Sequence, residues 1–347
     1  MKVVISSYTF FPDIGGVSTN VSILATAFSR AGHDVTVVTL TPGPVDGFEF
    51  EIVRQPNTSE LTKLYKTADI LILSNLSLRL LYPLLYIRRP FGLRHHSESA
   101  FGLSKSLFSF DILRRWIMAR AHHFVTSKYI GRVSGLPEYT VTSPFANTLH
   151  IKQDIIKDPT ERSGALFVGR VEPEKGVNYL LDRWPLIQET LGVEELRIVG
   201  DGSLAGEVQK RIDSGLKNVT FVGRLEGDQT AREMGRAAYI IVPSLWQEPF
   251  GAVALEAVAA GGISIVADRG GLSEAAGELG IMYDPDDDKS FVLALNTARE
   301  TRNNLLSGPE AWAAYRLQVQ RHLDRFEPAN VVQTIIETMA PDRGKVA

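Results

Sequence analysis

The 347-residue sequence contains no cysteine. That absence removes disulfide scaffolds, zinc–thiolate centres, iron–sulfur clusters and cysteine nucleophiles from consideration. Long apolar runs are missing too. The greasiest stretch, 70–87, is interrupted by Asn75, Arg79 and Pro83 and falls short of the roughly 20 apolar residues that span a bilayer. Met1–Ile5 is apolar but gives way at once to Ser6 and Ser7, too short for the core of a secretory signal. These features predict a cytoplasmic chain whose membrane contact, if any, is peripheral. Neither sign of charge dominates overall, the net being −3, yet the halves differ. Residues 1–158 carry 17 Lys/Arg against 12 Asp/Glu, a net of +5, and residues 159–347 carry a net of −8. An acidic second half does not suit nucleic acid, which requires a basic stripe. No nucleic-acid partner is expected.

What remains is ordinary globular composition, 44% hydrophobic and 22% charged, at a length that predicts two domains. Short β-branched runs (Lys2–Ser7, Asp34–Leu40, Asp69–Leu73, Phe91–His95, Phe124–Thr126) are separated by helical-period segments such as Val17–Ala31 and Ser104–Arg120. The series restarts after Ser163 with Ala165–Val168, Glu195–Val199, Val219–Val222, Tyr239–Val242 and Ile263–Ala267. Runs that are apolar throughout mark strands covered by helices on both faces. The fold class expected is α/β, with two doubly wound parallel-sheet, Rossmann-like domains. Broken periodicity between Pro144 and Ser163 predicts a linker between domains at 1–155 and 160–326. The tail, helical in period from Pro309 to Met339, has no partner strand, and its end (about 327–347) is expected to pack back on the first domain.

Three motifs carry chemistry. Glu248-Pro249-Phe250-Gly251 follows the strand ending near Val242, and Glu256 lies in the second turn of the helical segment beginning near Gly251. Glu248 thus stands at a strand's carboxyl end, where open α/β sheets bind ligands. Glu256 sits among Val253, Leu255 and Val258, so burial is expected, and its carboxylate needs a hydrogen-bonding partner. The vicinal hydroxyls of a ribose and a basic core neighbour both satisfy that need. Gly169-Arg170 leaves the first strand of the second series, and Lys175-Gly176 opens a helix predicted over Gly176–Gln188. Two cations at a strand tip beside a helix start would clamp a diphosphate. Pro12-Asp13-Ile14-Gly15-Gly16-Val17 follows the first strand, and its paired glycines allow either close approach to a ligand or simply a tight turn.

Together with Ala31-Gly32-His33-Asp34-Val35, Val199-Gly200-Asp201-Gly202 and Pro243-Ser244, these residues resemble, in order and across essentially the whole chain, the family-4 retaining glycosyltransferases of GT-B fold. The resemblance implies two Rossmann-like domains facing across a cleft and a nucleotide-diphosphate sugar donor, UDP- or GDP-linked. It implies Arg170 and Lys175 on the diphosphate and Glu248 on the transferred sugar, with the backbone near Phe250 and Gly251 assisting. It also implies Glu256 on the ribose, Arg224 bordering the base, Gly16 approaching from the other domain, and Gly169 and Gly202 lining the donor site. One histidine at the end of the strand beginning near Phe91 is expected near the sugar, and His96 is assigned over His95. The reaction implied retains anomeric configuration, needs no protein nucleophile and uses no metal or other cofactor. Ser264 and Ser273 depart from the family's frequent prolines, which puts sugar selectivity in question rather than reaction class.

Two further patterns are read as structural. Asp284–Asp288 precedes a helix predicted from Ser290, where acidic residues cap free amides. Gly200–Gly206 is a loosened dinucleotide fingerprint with its third glycine displaced by one residue. On the acceptor side, Leu76–Arg120 holds eight basic residues against two acidic ones, interleaved with Tyr82, Tyr86, Phe108, Phe110 and Trp116. That mixture suits an anionic membrane surface or a lipid-linked acceptor. The expected activity is hexosyl transfer to a hydroxyl acceptor in glycolipid or polysaccharide synthesis. A sugar-nucleotide epimerase and a non-catalytic carbohydrate-binding protein of the same fold are the alternatives.

Overall fold

The computed structural model describes residues 1–13, 15–75, 77–96, 110–143, 151 and 156–340. The chain divides into two compact units, Met1–Phe145 with Phe326–Ala347, and Ala146–Arg325.

In the first unit the strands are β1 (Lys2–Ser7), β2 (Asp34–Thr39), β3 (Glu51–Arg54), β4 (Ile70–Ser74), β5 (Gly92–His95), β6 (His122–Val125) and β7 (Thr140–Val141). Among the described residues they form one parallel sheet in the order β3-β2-β1-β4-β5-β6-β7. Val3, Val4 and Ile5 are successive and all fully buried, so both faces of β1 are covered. On one face lies helix Gly16–Arg30, which buries Val21, Leu24, Ala25 and Phe28 at helical spacing. Val331, Val332, Ile335 and Ile336 of helix Pro328–Met339 join the same core. Burying four such side chains contributes roughly 6–12 kcal/mol before the entropy of ordering them is counted. The other face is filled by Leu61 and Tyr65 of helix Thr58–Thr67 together with Leu80, Leu84 and Ile117.

The second unit repeats the plan with β8 (Ser163–Val168), β9 (Leu196–Val199), β10 (Val219–Gly223), β11 (Ala237–Val242), β12 (Ile263–Ala267) and β13 (Gly280–Tyr283). These are parallel, in the order β10-β9-β8-β11-β12-β13. Both sheets are doubly wound, as the apolar runs predict. The strand order reverses beside β1 and β4 in one sheet and beside β8 and β11 in the other, and such reversals open a crevice at the strands' carboxyl ends.

Several expectations need correction. The helix predicted over Gly176–Gln188 is two helices, Val177–Asp182 and Trp184–Leu191. Pro185 lacks an amide hydrogen and restrains the residue before it, so the chain breaks at Arg183 and restarts. The tail likewise splits into Pro309–Leu323 and Pro328–Met339, separated by a 3₁₀ turn and Pro328. The helix predicted over Ser104–Arg120 is described from Phe110 to Met118; 104–109, most of the predicted linker and 341–347 lie outside the described residues. Strands β3, β7 and β13 were not predicted. They are short, and Glu51, Arg54 and Gly280 dilute their apolar character. Among the described residues no helix is long and apolar enough to cross a membrane.

Candidate functional site

The loops leaving β8, β9 and β11 are stitched together by backbone. The Gly169 amide donates to the Val199 carbonyl at 3.0 Å, and the Val171 amide to the Asp201 carbonyl at 2.9 Å. A Cβ on Gly202 would lie 2.5 Å from the Val171 carbonyl oxygen, so this glycine serves close packing of two loops. Glu172 reinforces the contact, accepting from the Ser203 amide at 3.1 Å and its hydroxyl at 2.5 Å. Those bonds hold its carboxyl below the usual range. On the β11 side, Gly176 adopts φ +75°, and a Cβ there would sit 1.9 Å from the Pro243 carbonyl oxygen. The Leu245 amide donates to the Glu174 carbonyl at 2.9 Å. The 3₁₀ turn Pro173–Lys175 is thereby pinned against the loop after β11.

At this junction the Lys175 ammonium donates to Glu248 Oε1 at 2.5 Å, and the Ser244 hydroxyl donates to the same oxygen at 2.9 Å. The Glu248 side chain is 7% exposed and that of Lys175 19%. Glu248 Oε2 has no hydrogen-bond partner among the described residues. The Trp246 ring, partly exposed, has its centroid 5.6 Å from the ammonium. The Glu248 backbone is fixed by bridge pairing with Gly270 and by the Gly271 amide donating to its carbonyl at 2.7 Å. A nearly buried carboxylate held through one oxygen has the other to offer a hydroxyl, and the ammonium beside it is preorganised for negative charge.

The structure therefore brings Lys175 and Glu248 together. Arg170 is the outer member: its guanidinium is exposed and paired with Glu174 Oε1 at 3.0 Å. Phe250 is buried, and Gly251 starts helix Ala252–Ala259 at φ +83°, where a Cβ would meet Leu272 at 2.3 Å. Glu256 is half-buried rather than enclosed, since its neighbours Leu255 and Ala257 take the inward positions. Arg224 follows β10, exposed, and makes no hydrogen bond or ion pair among the described residues. Ser244, Glu174 and Gly270 join the site although sequence reasoning did not assign them. The four-residue spacing of Arg170 and Glu174 was a usable signal.

In the first unit Gly15 and Gly16 are exposed at the start of helix Gly16–Arg30, with nothing within 4 Å of a Cβ at either; Ile14 lies outside the described residues. His95 is fully buried, stacked on His123 and within 2.9 Å of its Nδ1. His96 is half-buried, with Nε2 2.8 Å from the Ser74 hydroxyl and its amide donating to Asn75 at 3.2 Å. Burial, with Arg94 and His95 nearby, pushes the His96 imidazole well below its ordinary range. The basic stretch 76–120 divides. Arg89, Arg94 and Arg120 donate to backbone carbonyls within the unit, whereas Arg79, Arg88 and Arg115 are exposed. Lys105 lies outside the described residues. The acidic run caps as expected: Asp287 accepts from the Lys289 amide, while Asp284 and Asp286 pair with Arg269.

Two doubly wound parallel sheets in two compact units, with the likeness to solved structures that follows, give the chain the GT-B fold. The Anabaena protein Alr3699/HepE, crystallised with UDP, matches 98% of this chain over 100% of its own, with TM-score 0.72 and 19% identity; the same protein has been crystallised with UDP-glucose. Residues 162–300, all within the second unit, match the family described as Glycosyl transferases group 1. A glycogen synthase of Mycobacterium tuberculosis is 35% identical over 136 residues, 38% of this chain and 33% of that protein. A phosphatidyl-myo-inositol mannosyltransferase of Mycobacterium leprae is 31% identical over 186 residues, 52% of this chain and 48% of that protein. The chain thus spans between a third and a half of the length of these relatives.

Proposed function

We propose that this chain is a retaining glycosyltransferase that moves a hexose from a UDP- or GDP-linked donor to a hydroxyl acceptor without a metal ion. The observation that carries the reading is the Lys175–Glu248 pair at the reversal point of the second sheet. Departure of a nucleoside diphosphate builds negative charge on the bridging oxygen. The Lys175 ammonium stabilises that charge, and Arg170, on turning from Glu174, adds a second cation with bidentate geometry. Glu248 Oε2 accepts from a hydroxyl of the transferred sugar. Glu256 takes the ribose hydroxyls and Arg224 borders the base. With two cations supplied by the chain, charge stabilisation needs no metal. With no side chain assigned as nucleophile, the leaving phosphate assists the acceptor hydroxyl on the same face, which preserves configuration.

The relatives named for glycogen synthesis and mannosyl transfer support sugar transfer, and the Anabaena complexes support a nucleotide-sugar donor. The acceptor is read as lipid-linked or a cell-surface glycan precursor, met in the cytoplasm at the inner face of the membrane. A thermal-shift panel of UDP, GDP, ADP, TDP and NADP tests donor binding, because a ligand at 100 times its Kd adds about 2.7 kcal/mol of stability. Turnover of the selected sugar nucleotide, with and without hydroxyl acceptors and with EDTA present, tests the reaction. Epimer formed from donor alone would replace the transferase reading with an epimerase.

A further inference from the structure

A groove of about 680 Å³ opens in the first unit at the carboxyl ends of β2 and β3, walled by Leu40, Gln55, Pro56, Thr58, Arg79 and Tyr82. Its size is that of small-molecule sites. Arg79 is exposed and makes no hydrogen bond or ion pair among the described residues, unlike the neighbouring arginines bound to backbone carbonyls. Among the described residues no acidic side chain lines the groove. Tyr82 is 52% exposed and braced edge-on against Tyr86, with ring centroids 5.7 Å apart, and the Tyr86 hydroxyl lies 3.1 Å from that of Thr62. Gln55 is held at φ +47° with its amide donating to the Thr39 carbonyl at 2.7 Å and its side-chain nitrogen to the Leu40 carbonyl at 3.3 Å. A left-handed backbone on a residue other than glycine is strained and persists where surroundings impose it.

We infer that this groove binds a saccharide carrying a carboxylate or phosphate, with the anion on Arg79 and the sugar ring against Tyr82. An unpaired guanidinium supplies bidentate recognition of such anions. A braced aromatic face suits the apolar face of a pyranose, and the Gln55 amide oxygen is placed to accept from a hydroxyl. A concave wall of this kind fits a discrete sugar better than a flat membrane surface. The inference rests on the transferase reading and narrows its acceptor to an anionic saccharide, free or lipid-borne.

The test is saturation-transfer-difference NMR with glucuronate, glucose 6-phosphate and glucose, the second unit being filled by whichever nucleotide raises the Tm most. The wild type should bind the two anionic sugars about tenfold more tightly than glucose, on the scale of one charge-assisted contact. Arg79→Ala should remove that preference, Arg79→Lys should restore part of it, and Tyr82→Ala should weaken all three sugars. Both positions are exposed, so the Tm of each variant should match the wild type. Equal binding of glucose and the anionic sugars, no binding of either anionic sugar, or a preference that survives Arg79→Ala overturns the inference. Sedimentation with phosphatidylglycerol vesicles separates the remaining source. If Arg79→Ala abolishes vesicle binding while leaving sugar signals intact, the surface is a membrane contact and the inference falls. Sugar signals that behave as expected in a protein without donor turnover overturn the transferase reading and leave the groove standing.

Discussion

Lys175→Ala separates the structural and chemical demands placed on one ammonium. The pair it breaks is short, and Glu248 is nearly enclosed. Loss of one member of a fully buried pair costs about 3–5 kcal/mol. Lys175 is partly exposed and the Ser244 hydroxyl stays on Glu248 Oε1, so about 2–3 kcal/mol is expected here. For units of this size that lowers Tm by roughly 4–12 °C. Removing both charges in Lys175→Met/Glu248→Leu leaves no buried charge unpaired, only the Ser244 hydroxyl without its acceptor, so part of the loss should return, giving a coupling energy of about 1–3 kcal/mol. Turnover behaves differently. It should fall by about 10²–10³ in Lys175→Ala at saturating donor, the effect of losing one preorganised charge stabiliser, and the double variant should not recover it. Urea titration and initial-rate kinetics read the two quantities. A single variant as stable as the wild type, with a double variant no better, refutes the burial argument; wild-type turnover refutes the diphosphate role whatever the stability.

Gly176→Ala should destabilise the second unit by about 3 kcal/mol, because it adds left-handed strain to a collision with the Pro243 carbonyl; a denaturation midpoint unchanged from wild type would contradict the packing. Glu256→Gln should raise the donor KM and leave kcat in place, as loss of uniform binding does; a fall in kcat alone would remove the ribose assignment. His95, pushed down to about 3 by burial and by His123 beside it, stays neutral in the fold. Unfolded histidine titrates near 6.5, so as pH falls below that value the unfolded chain takes the proton first and stability is lost, about 2 kcal/mol between pH 7 and 5. His95→Asn should flatten the dependence of the urea midpoint over that range; an undiminished slope would assign the effect elsewhere.

Much of the fold was legible because a parallel strand buried on both faces advertises itself. Lys2–Ser7 and Ile263–Ala267 have the bounds their apolar runs suggest. β3 and β13 were hidden by their ends, where Glu51, Arg54 and Gly280 interrupt the signal. At the candidate site, sequence indicated which strand tips matter but not how charges pair there. Arg170 and Lys175 look equivalent as cations near one loop. In space one faces water with Glu174 and the other faces inward to Glu248. Sequence likewise made eight basic residues between 76 and 120 look like one surface, because nothing local reveals that Arg94 spends its guanidinium on the Thr142 carbonyl. Gly202 shows the same limit. A glycine that admits a ligand and one that admits a neighbouring loop are spelled alike.

The position of helix Pro328–Met339 in the chain constrains how the protein is made. The first unit needs Val331, Val332, Ile335 and Ile336 to complete its core, yet the ribosome must first deliver all of Ala146–Arg325. At 5–20 residues per second that delay is roughly 10–40 s. Throughout it, the nascent β1–β4 layer and helix Gly16–Arg30 display an unfinished greasy surface, which makes this interval the one in which a chaperone would matter most.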